Sequence, residues 1–419
     1  GNNIFRSYLG LSPNESSFDL RDVIPENVVV RYQGVANNCW AFATVGALET
    51  TLALKRKKNG QSVKVFNFSE AHVKYGSRYD MFLNGQKNNK GLNLDKSVGG
   101  TFEQALNYMT NGLGPVDEKW LQYNPSEPRI SLVDIESITP SVIVKNSVNL
   151  SIPPNSDEST IDALIPKIKT HIKNHGGLYF SLNYHRGDQY TNVNNKARYC
   201  DVPLRTNESP SHAVVLIGWD DNYSANNFTK NPGKDGAWIF KNSYGSYSDV
   251  EYLSYYDKTS YTEVCGFTDV EEEKNYDKQY QHQVLPPIVD FKVNKGPVIS
   301  QLTVAEVYHR DRLDKRESIK RLSIMAQESG IYEFYINPKD NDLTKLEKVD
   351  VNKIYLRKGF NTVELDNQVE LTGSDFVIAA KVPNVNGEFH ISYQPTNRMQ
   401  DYTASVSNPG ETYVNYVDN

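Results

Sequence analysis

The 419 residues contain no apolar run near the ~18 that a membrane-spanning helix needs; the longest, such as Ala213–Gly218, are strand-sized. Cysteine is scarce. Three residues allow at most one disulfide and leave a thiol over, which excludes a disulfide-built scaffold. An excess of positive charge is also missing: 45 Lys and Arg stand against 51 Asp and Glu, a net charge of −6, which argues against a dedicated nucleic-acid binder. With 38% hydrophobic and 23% charged residues, 26 Gly and 19 Pro, the chain is neither disordered, collagen-like nor a coiled coil. The start, Gly1-Asn2-Asn3, lacks the basic-then-apolar pattern of a signal peptide, so a leader is expected to be absent or already removed.

The length predicts two or three domains. Residues 1–17 are polar and read as a lead-in or the remnant of a pro-segment. From Cys39 to Lys58 the spacing of Phe42, Val45, Leu48 and Leu52 predicts a helix with one apolar face. Lys55–Lys58 suit the negative end of its dipole, and Gly60 can end it. Further helices are predicted over Thr101–Met109 and about Ile161–His175, with Pro166 kinking the latter or sitting in its first turn. Strands follow at His212–Trp219, Ala237–Asn242 and Glu251–Tyr256. Helices early and sheet late make an α+β arrangement over 18–270. The run Glu271-Glu272-Glu273-Lys274, read as a solvated surface stretch, and Pro286-Pro287 mark a boundary. Beyond it, over 280–419, short alternating segments separated by turns such as Asn386-Gly387 predict an antiparallel β-sandwich.

The chemistry gathers in Gln33-Gly34-Val35-Ala36-Asn37-Asn38-Cys39-Trp40-Ala41-Phe42. A thiol at a helix start gains from the positive dipole end, which favours thiolate over thiol. Gln33, on the entering loop, can turn its carboxamide toward the space above the sulfur and form a two-donor oxyanion hole with the Cys39 N–H. The thiolate also needs a cation and the leaving group a proton donor. His212, opening a strand after Ser209-Pro210-Ser211, can supply both. Asn242 ends the partner strand, where a side-chain carbonyl would hold the imidazole in its useful tautomer.

These segments, with Ser211-His212-Ala213-Val214 and Lys241-Asn242-Ser243-Tyr244-Gly245, resemble the three signature segments of the papain-like cysteine peptidases. Phe18-Asp19-Leu20-Arg21 is similar to that family's mature amino terminus, and Phe68-Ser69-Glu70-Ala71 to its second-helix motif. The resemblance covers about residues 18–268. It implies an α+β papain-like domain, a helical half against a β-barrel-like half, followed by an all-β sandwich. It further implies a cysteine endopeptidase with Cys39 as nucleophile, His212 as acid and base, Asn242 orienting His212, and Gln33 in the oxyanion hole. Gly99, Gly100, Trp40 and Ser211 are implied to line the substrate groove. No cofactor is required, no metal is expected at the site, and the partner is a protein or peptide.

Several features depart from the family pattern. Ala36 stands where the family usually has Cys, and Tyr244 replaces the Trp that shields the Asn–His bond. Cys39 and His212 lie further apart than the ~130–150 residues of the family signature. The extra chain is expected at 129–158 and 185–210, both read as polar and strand-poor. Cys200 and Cys265 stand near positions that are bonded in many relatives, which leaves a disulfide and two free thiols as alternatives. His171 and His175 have metal-ligand spacing, but Ile172 occupies the place where a zincin carries Glu, so a zinc site is not expected. The turn Gly218–Tyr223 and the strand opening Gly236-Ala237-Trp238, with the β-rich region behind, are similar to the surface-layer-processing cysteine peptidases of clostridia. That similarity implies a secreted or cell-surface bacterial enzyme whose lectin-like domain binds cell-wall or glycan ligands. Asp340-Asn341-Asp342 is a candidate calcium loop there. The competing reading is an adhesin or carbohydrate-binding surface protein with a decayed peptidase domain.

Overall fold

The computed structural model describes residues 13–77, 99–110, 113–126, 135, 137–184, 187–245, 250–272, 299–310, 313–314 and 316–383, with strands at 82–83, 86–87, 289–293, 389–393 and 412–418. The chain forms two compact units. Arg6–Tyr79 and Lys90–Asn275 make one, and Tyr276–Asn419 makes up most of the other.

The first unit is built on α1 (Cys39–Lys58). Every residue from Trp40 to Leu54 is buried, so this is a central helix rather than one with a single apolar face. Its polar members are satisfied locally: Thr44 Oγ1 donates to Trp40 O, and Glu49 accepts from Arg31 and from the Phe68 N–H. Lys55 and Lys57 at its end donate to the Val270 and Val23 carbonyls. Around it lie α2 (Glu70–Ser77), α3 (Phe102–Thr110) and α4 (Glu158–His175). Asp157 caps α4 by accepting the Thr160 N–H. Pro166 lies inside α4, not in its first turn, and Thr170 Oγ1 donates to its carbonyl.

The sheet of this unit contains β1 (Ser17–Asp19), β2 (Ile143–Asn149), β3 (Leu178–Leu182), β4 (Thr191–Asn192), β5 (Ala197–Arg198), β6 (His212–Asp220), β7 (Ala237–Lys241), β8 (Val250–Ser254) and β9 (Val264–Glu271). Among the described residues its order is β2-β9-β3-β6-β7-β8-β5-β4, with β1 paired to β6. The register places His212 opposite Leu182, and Ala213 opposite Ser181. A bulge at Leu216/Gly218 in β6 lets Phe18 O approach to 2.1 Å from where a Cβ on residue 218 would stand, so only glycine fits. The two stretches expected to be strand-poor contribute β2, whose Lys145-Asn146-Ser147 breaks up its apolar residues, and β4 and β5, whose two residues each are too short to show a pattern. Ser17 already pairs with Asp220, and Trp219 Nε1 donates to Glu15 O, so the last residues of the supposed lead-in pack on this unit. The acidic run is not simply solvated: Glu271 pairs with Lys145, and Glu272 with Arg56 and Lys64; Glu273 and Lys274 lie outside the described residues.

The second unit is all-β. Its strands are β10 (Val289–Val293), β11 (Ile299–His309), β12 (Glu317–Ala326), β13 (Gly330–Asn337), β14 (Glu347–Leu356), β15 (Gly359–Leu371), β16 (Asp375–Val382), β17 (Phe389–Tyr393) and β18 (Thr412–Asp418). A five-stranded antiparallel sheet, β14-β13-β16-β11-β18, and the pair β12-β15 share one core of Leu322, Tyr332, Phe334, Val363 and Phe376. The pair β10-β17 completes the described strands. Of these, β11 and β12 do not stand out in the sequence, because Gln, Glu, Lys and Arg interrupt their apolar alternation, and β10 alternates strictly but is only five residues long.

Candidate active site

His212 opens β6 at the end of the sheet and is buried. Its Nε2 lies 2.7 Å from Asn242 Oδ1. The Asn242 amide is oriented by its other partners: Nδ2 donates to Glu251 Oε2 at 2.9 Å, and Oδ1 also accepts the Ser243 N–H at 2.8 Å. A carbonyl oxygen can only accept, so His212 Nε2 carries the proton and Nδ1 is the lone-pair nitrogen. Tyr244 stacks on the imidazole, with centroids 5.2 Å apart and planes 5° apart, and Tyr184 meets it at 4.9 Å. The aromatic shield thus persists with Tyr in place of Trp.

Cys39 is the first residue of α1 and half-buried. The backbone N–H of Ala213, the residue after His212, bears on its sulfur and favours the thiolate, as do the N–H groups of Trp40 and Cys39 at the helix start. Burial outweighs them and, with the charge of Glu263, pushes the thiol up. The helix start alone is therefore insufficient, and the thiolate needs the nearby cation that the sequence reading also calls for.

Gln33 is buried, and its amide is held at both ends. Nε2 donates to Ala36 O at 2.8 Å, and Oε1 accepts from Ser243 Oγ. One amide hydrogen remains for an oxyanion. The loop is tied down by Gln33 N to Ser243 O at 2.8 Å, and by Tyr123, whose hydroxyl donates to Gln33 O and accepts from Asn38 Nδ2. Tyr123 also meets Phe42 edge-on.

Four contributors beyond the sequence motifs brace this site, Tyr123, Tyr184, Arg198 and Glu251, and Ser243 of the Asn242 segment joins them. Arg198 Nε pairs with Glu251 at 2.9 Å and stacks on Tyr184, whose hydroxyl also donates to Glu251. Arg198 reaches Glu251 because β5 lies parallel beside β8. Behind the nucleophile, Arg31 pairs with Glu49 and Glu70, and Lys241, buried next to them, is pushed down to about 8.

Of the four residues expected in the groove, Gly99 is exposed and has open space around its Cα. Gly100 lies against the Trp40 indole, where an added Cβ would fall 2.3 Å from the ring. Trp40 itself is 1% exposed and offers a substrate almost no surface; its ring packs against Gly100. Ser211 is exposed, and its Oγ accepts the Tyr184 N–H. Cys200 and Cys265 are free thiols, both buried, so the disulfide alternative fails. Cys265 lies in β9 beside β2 and β3, whereas the Cys200 N–H donates to Asp257. The carboxylates of Asp340 and Asp342 accept from Asn337, from the Thr344 N–H and from the Asp342 N–H of their own loop. Among the described residues no group of three His, Cys, Asp or Glu side chains is placed to hold a metal ion. No helix among them is long and apolar enough to cross a membrane.

A model of the papain family of cysteine proteases matches residues 14–273. A cathepsin L-like protein of Caenorhabditis elegans is 25% identical over 219 residues, which are 52% of this chain and 52% of that protein; the chain thus spans about half the length of that curated relative. Two solved structures are similar over nearly the whole chain. The clostridial cysteine protease Cwp84 after propeptide cleavage has a TM-score of 0.75 at 21% identity, covering 96% of this chain and 95% of the other. The cysteine protease and lectin-like domains of Cwp84, a surface layer associated protein of Clostridium difficile, give 0.74 at 22% identity, covering 97% and 85%. At these identities the likeness is one of fold: a papain-like α+β unit with a further all-β region.

Proposed function

The chain belongs to the papain family of cysteine proteases, and from that premise we propose that it hydrolyses peptide bonds through Cys39, His212 and Asn242. The observation that carries this reading is the single orientation of the Asn242 amide. Glu251 takes its nitrogen and His212 its oxygen, which leaves the lone pair of His212 Nδ1 for the thiol proton. Proton transfer gives a thiolate–imidazolium pair and supplies the cation that half-buried Cys39 needs. The sulfur adds to the substrate carbonyl, and the oxyanion takes the Cys39 N–H and the second amide hydrogen of Gln33. His212 returns the proton to the departing amine as the C–N bond breaks, leaving an acyl-enzyme. Water, deprotonated by His212, then adds to the thioester, and the carboxylic acid leaves as the thiol re-forms. No cofactor enters these steps. Gly99 and Gly100 bind the substrate backbone on its acyl side, with Ser211 on the facing edge.

We further infer a secreted or cell-surface bacterial enzyme whose sandwich docks it on a cell-wall or glycan ligand. The likeness to Cwp84, described as a surface layer associated protein with a lectin-like domain, supports this. The net negative charge makes nucleic acid a poor partner.

Replacing Cys39 with Ala and assaying cleavage of an unfolded protein tests the chemistry; unchanged hydrolysis refutes it. A thiol-directed epoxide should label Cys39 stoichiometrically and spare buried Cys200 and Cys265. For the sandwich, the chain of both units carrying Cys39→Ala should be retained on cell-wall glycan, and failure to bind removes the docking role.

A further inference from the structure

One acidic side chain beside the nucleophile has no part in the steps above. Glu263 directly precedes β9, and its backbone carbonyl accepts the Ser181 N–H at 3.1 Å. Ser181 in turn pairs with Ala213 of β6. Glu263, Ser181 and Ala213 therefore form one cross-strand row at the sheet end that carries His212, spanning about 10 Å at ordinary strand spacing. Ala213 is the residue whose N–H bears on the Cys39 sulfur, and the charge of Glu263 acts on that same sulfur. The Glu263 carboxylate accepts from Ser181 Oγ at 3.0 Å and faces the Phe102 N–H, two residues beyond Gly100. It is thus bounded by the sheet end on one side and by the glycine stretch on the other.

A carboxylate in such a place normally has a cation. Among the described residues neither Lys nor Arg pairs with Glu263, and the charged neighbour that bears on it, Glu103, has the same sign. Its side chain is half-buried, so solvent or substrate can reach it. Burial and Glu103 both hold its proton affinity up, a cost that an arriving cation would offset. Ser181 and Phe102, which its carboxylate meets, carry no charge and supply no counter-ion of their own.

We propose that Glu263 ends a pocket beside Cys39 that takes a basic side chain from the acyl side of the substrate, so that the enzyme selects peptides carrying Lys or Arg near the cleaved bond. The proposal rests on the peptidase reading and adds its substrate class. Glu263 acts here as a specificity residue and does not touch the reacting atoms.

The test uses the full chain and matched fluorogenic peptides that carry Lys, Arg, Leu or Glu at each of the three positions before the cleaved bond. The wild type should cleave a Lys or Arg peptide at least ~10-fold better in kcat/KM than its Leu counterpart at one of those positions. Glu263→Gln keeps an acceptor for Ser181 and Phe102 but removes the charge. It should lower kcat/KM on the basic peptide ~30-fold, mainly through KM, and leave the Leu peptide within about threefold. A merely structural role would lower both peptides alike. Equal losses on both, or a wild type without basic preference, overturns the assignment. Epoxide labelling of Cys39 and turnover of the Leu peptide report the peptidase separately: if they persist without the preference, only the pocket is refuted, whereas no cleavage of any peptide refutes both.

Discussion

Asn242 presents its carbonyl to His212 because Glu251, 2.9 Å away on β8, holds its amide nitrogen. Glu251 is buried and is itself held by Arg198 and the Tyr184 hydroxyl. The imidazole tautomer is therefore set by an ion pair two bonds removed from it, and the pair includes a residue from the 185–210 stretch.

Glu251→Gln makes that dependence measurable. The variant offers an NH2 group as well as an oxygen to Asn242, so the amide can turn over and present its nitrogen to His212 Nε2. We expect kcat to fall about 10- to 100-fold with KM nearly unchanged. Glu251→Ala should cost about 2 kcal/mol of stability as well, since it strands half-buried Arg198 and the Asn242 amide. Steady-state kinetics and denaturant melts check both outcomes.

Tyr123 joins Gln33 O to Asn38 Nδ2 through one hydroxyl. Tyr123→Phe keeps the edge contact with Phe42 and removes only that link. The oxyanion loop should loosen, lowering kcat about tenfold, while stability drops by about 1 kcal/mol. Cys39→Ala should melt at or near the wild-type temperature, so a larger loss in Tyr123→Phe isolates the bracing of the loop.

The contrast between Gln33, Cys39, His212 and Asn242 on one side and Tyr123, Arg198 and Glu251 on the other shows what the sequence makes legible. The first four lie in short segments whose local order already carries their chemistry. Arg198 meets Glu251 only through the parallel pairing of β5 with β8, and no local pattern announces a two-residue strand. Tyr123 sits in a polar loop and acts through a neighbour ninety positions away. The same blindness affects Trp40, which looks like a groove residue by position but turns inward under Gly100. It affects Cys200 and Cys265 too, since their strands and loops set the separation of the sulfurs. The sandwich is legible as a class because alternation and turns are local, whereas its sheet order is not.

Tyr244 covers the His212–Asn242 hydrogen bond by stacking nearly parallel to the imidazole. Tyr244→Ala admits water to a bond that is stronger when dry. The expected result is a fall in kcat/KM of roughly tenfold, with Tyr244→Trp at or above wild type. Equal rates in the Ala and Trp variants would show that the ring packs without shielding.

Glu118 lies next to Glu70, and its Oε1 accepts the Tyr123 N–H at 2.7 Å. Burial, reinforced by the charge of Glu70, pushes its carboxyl up to about 7 from an ordinary 4.5. Between those values the folded chain keeps a proton that the unfolded chain has released, so the folded state binds more protons. Stability must then fall as pH rises from about 4.5 to about 7, and the carboxyl contributes fully only below that window. Lys241 acts with the opposite slope at higher pH: it is depressed to about 8 when folded, so its penalty lifts as pH climbs from there toward 10.5. Glu118→Gln mimics the protonated acid and retains the acceptor for Tyr123. Its melting temperature should therefore vary less than wild type below pH 7 and exceed it just above. An unchanged slope in the variant would assign the acid-side dependence to buried Glu49, the other carboxyl of the cluster whose pKa is raised by burial.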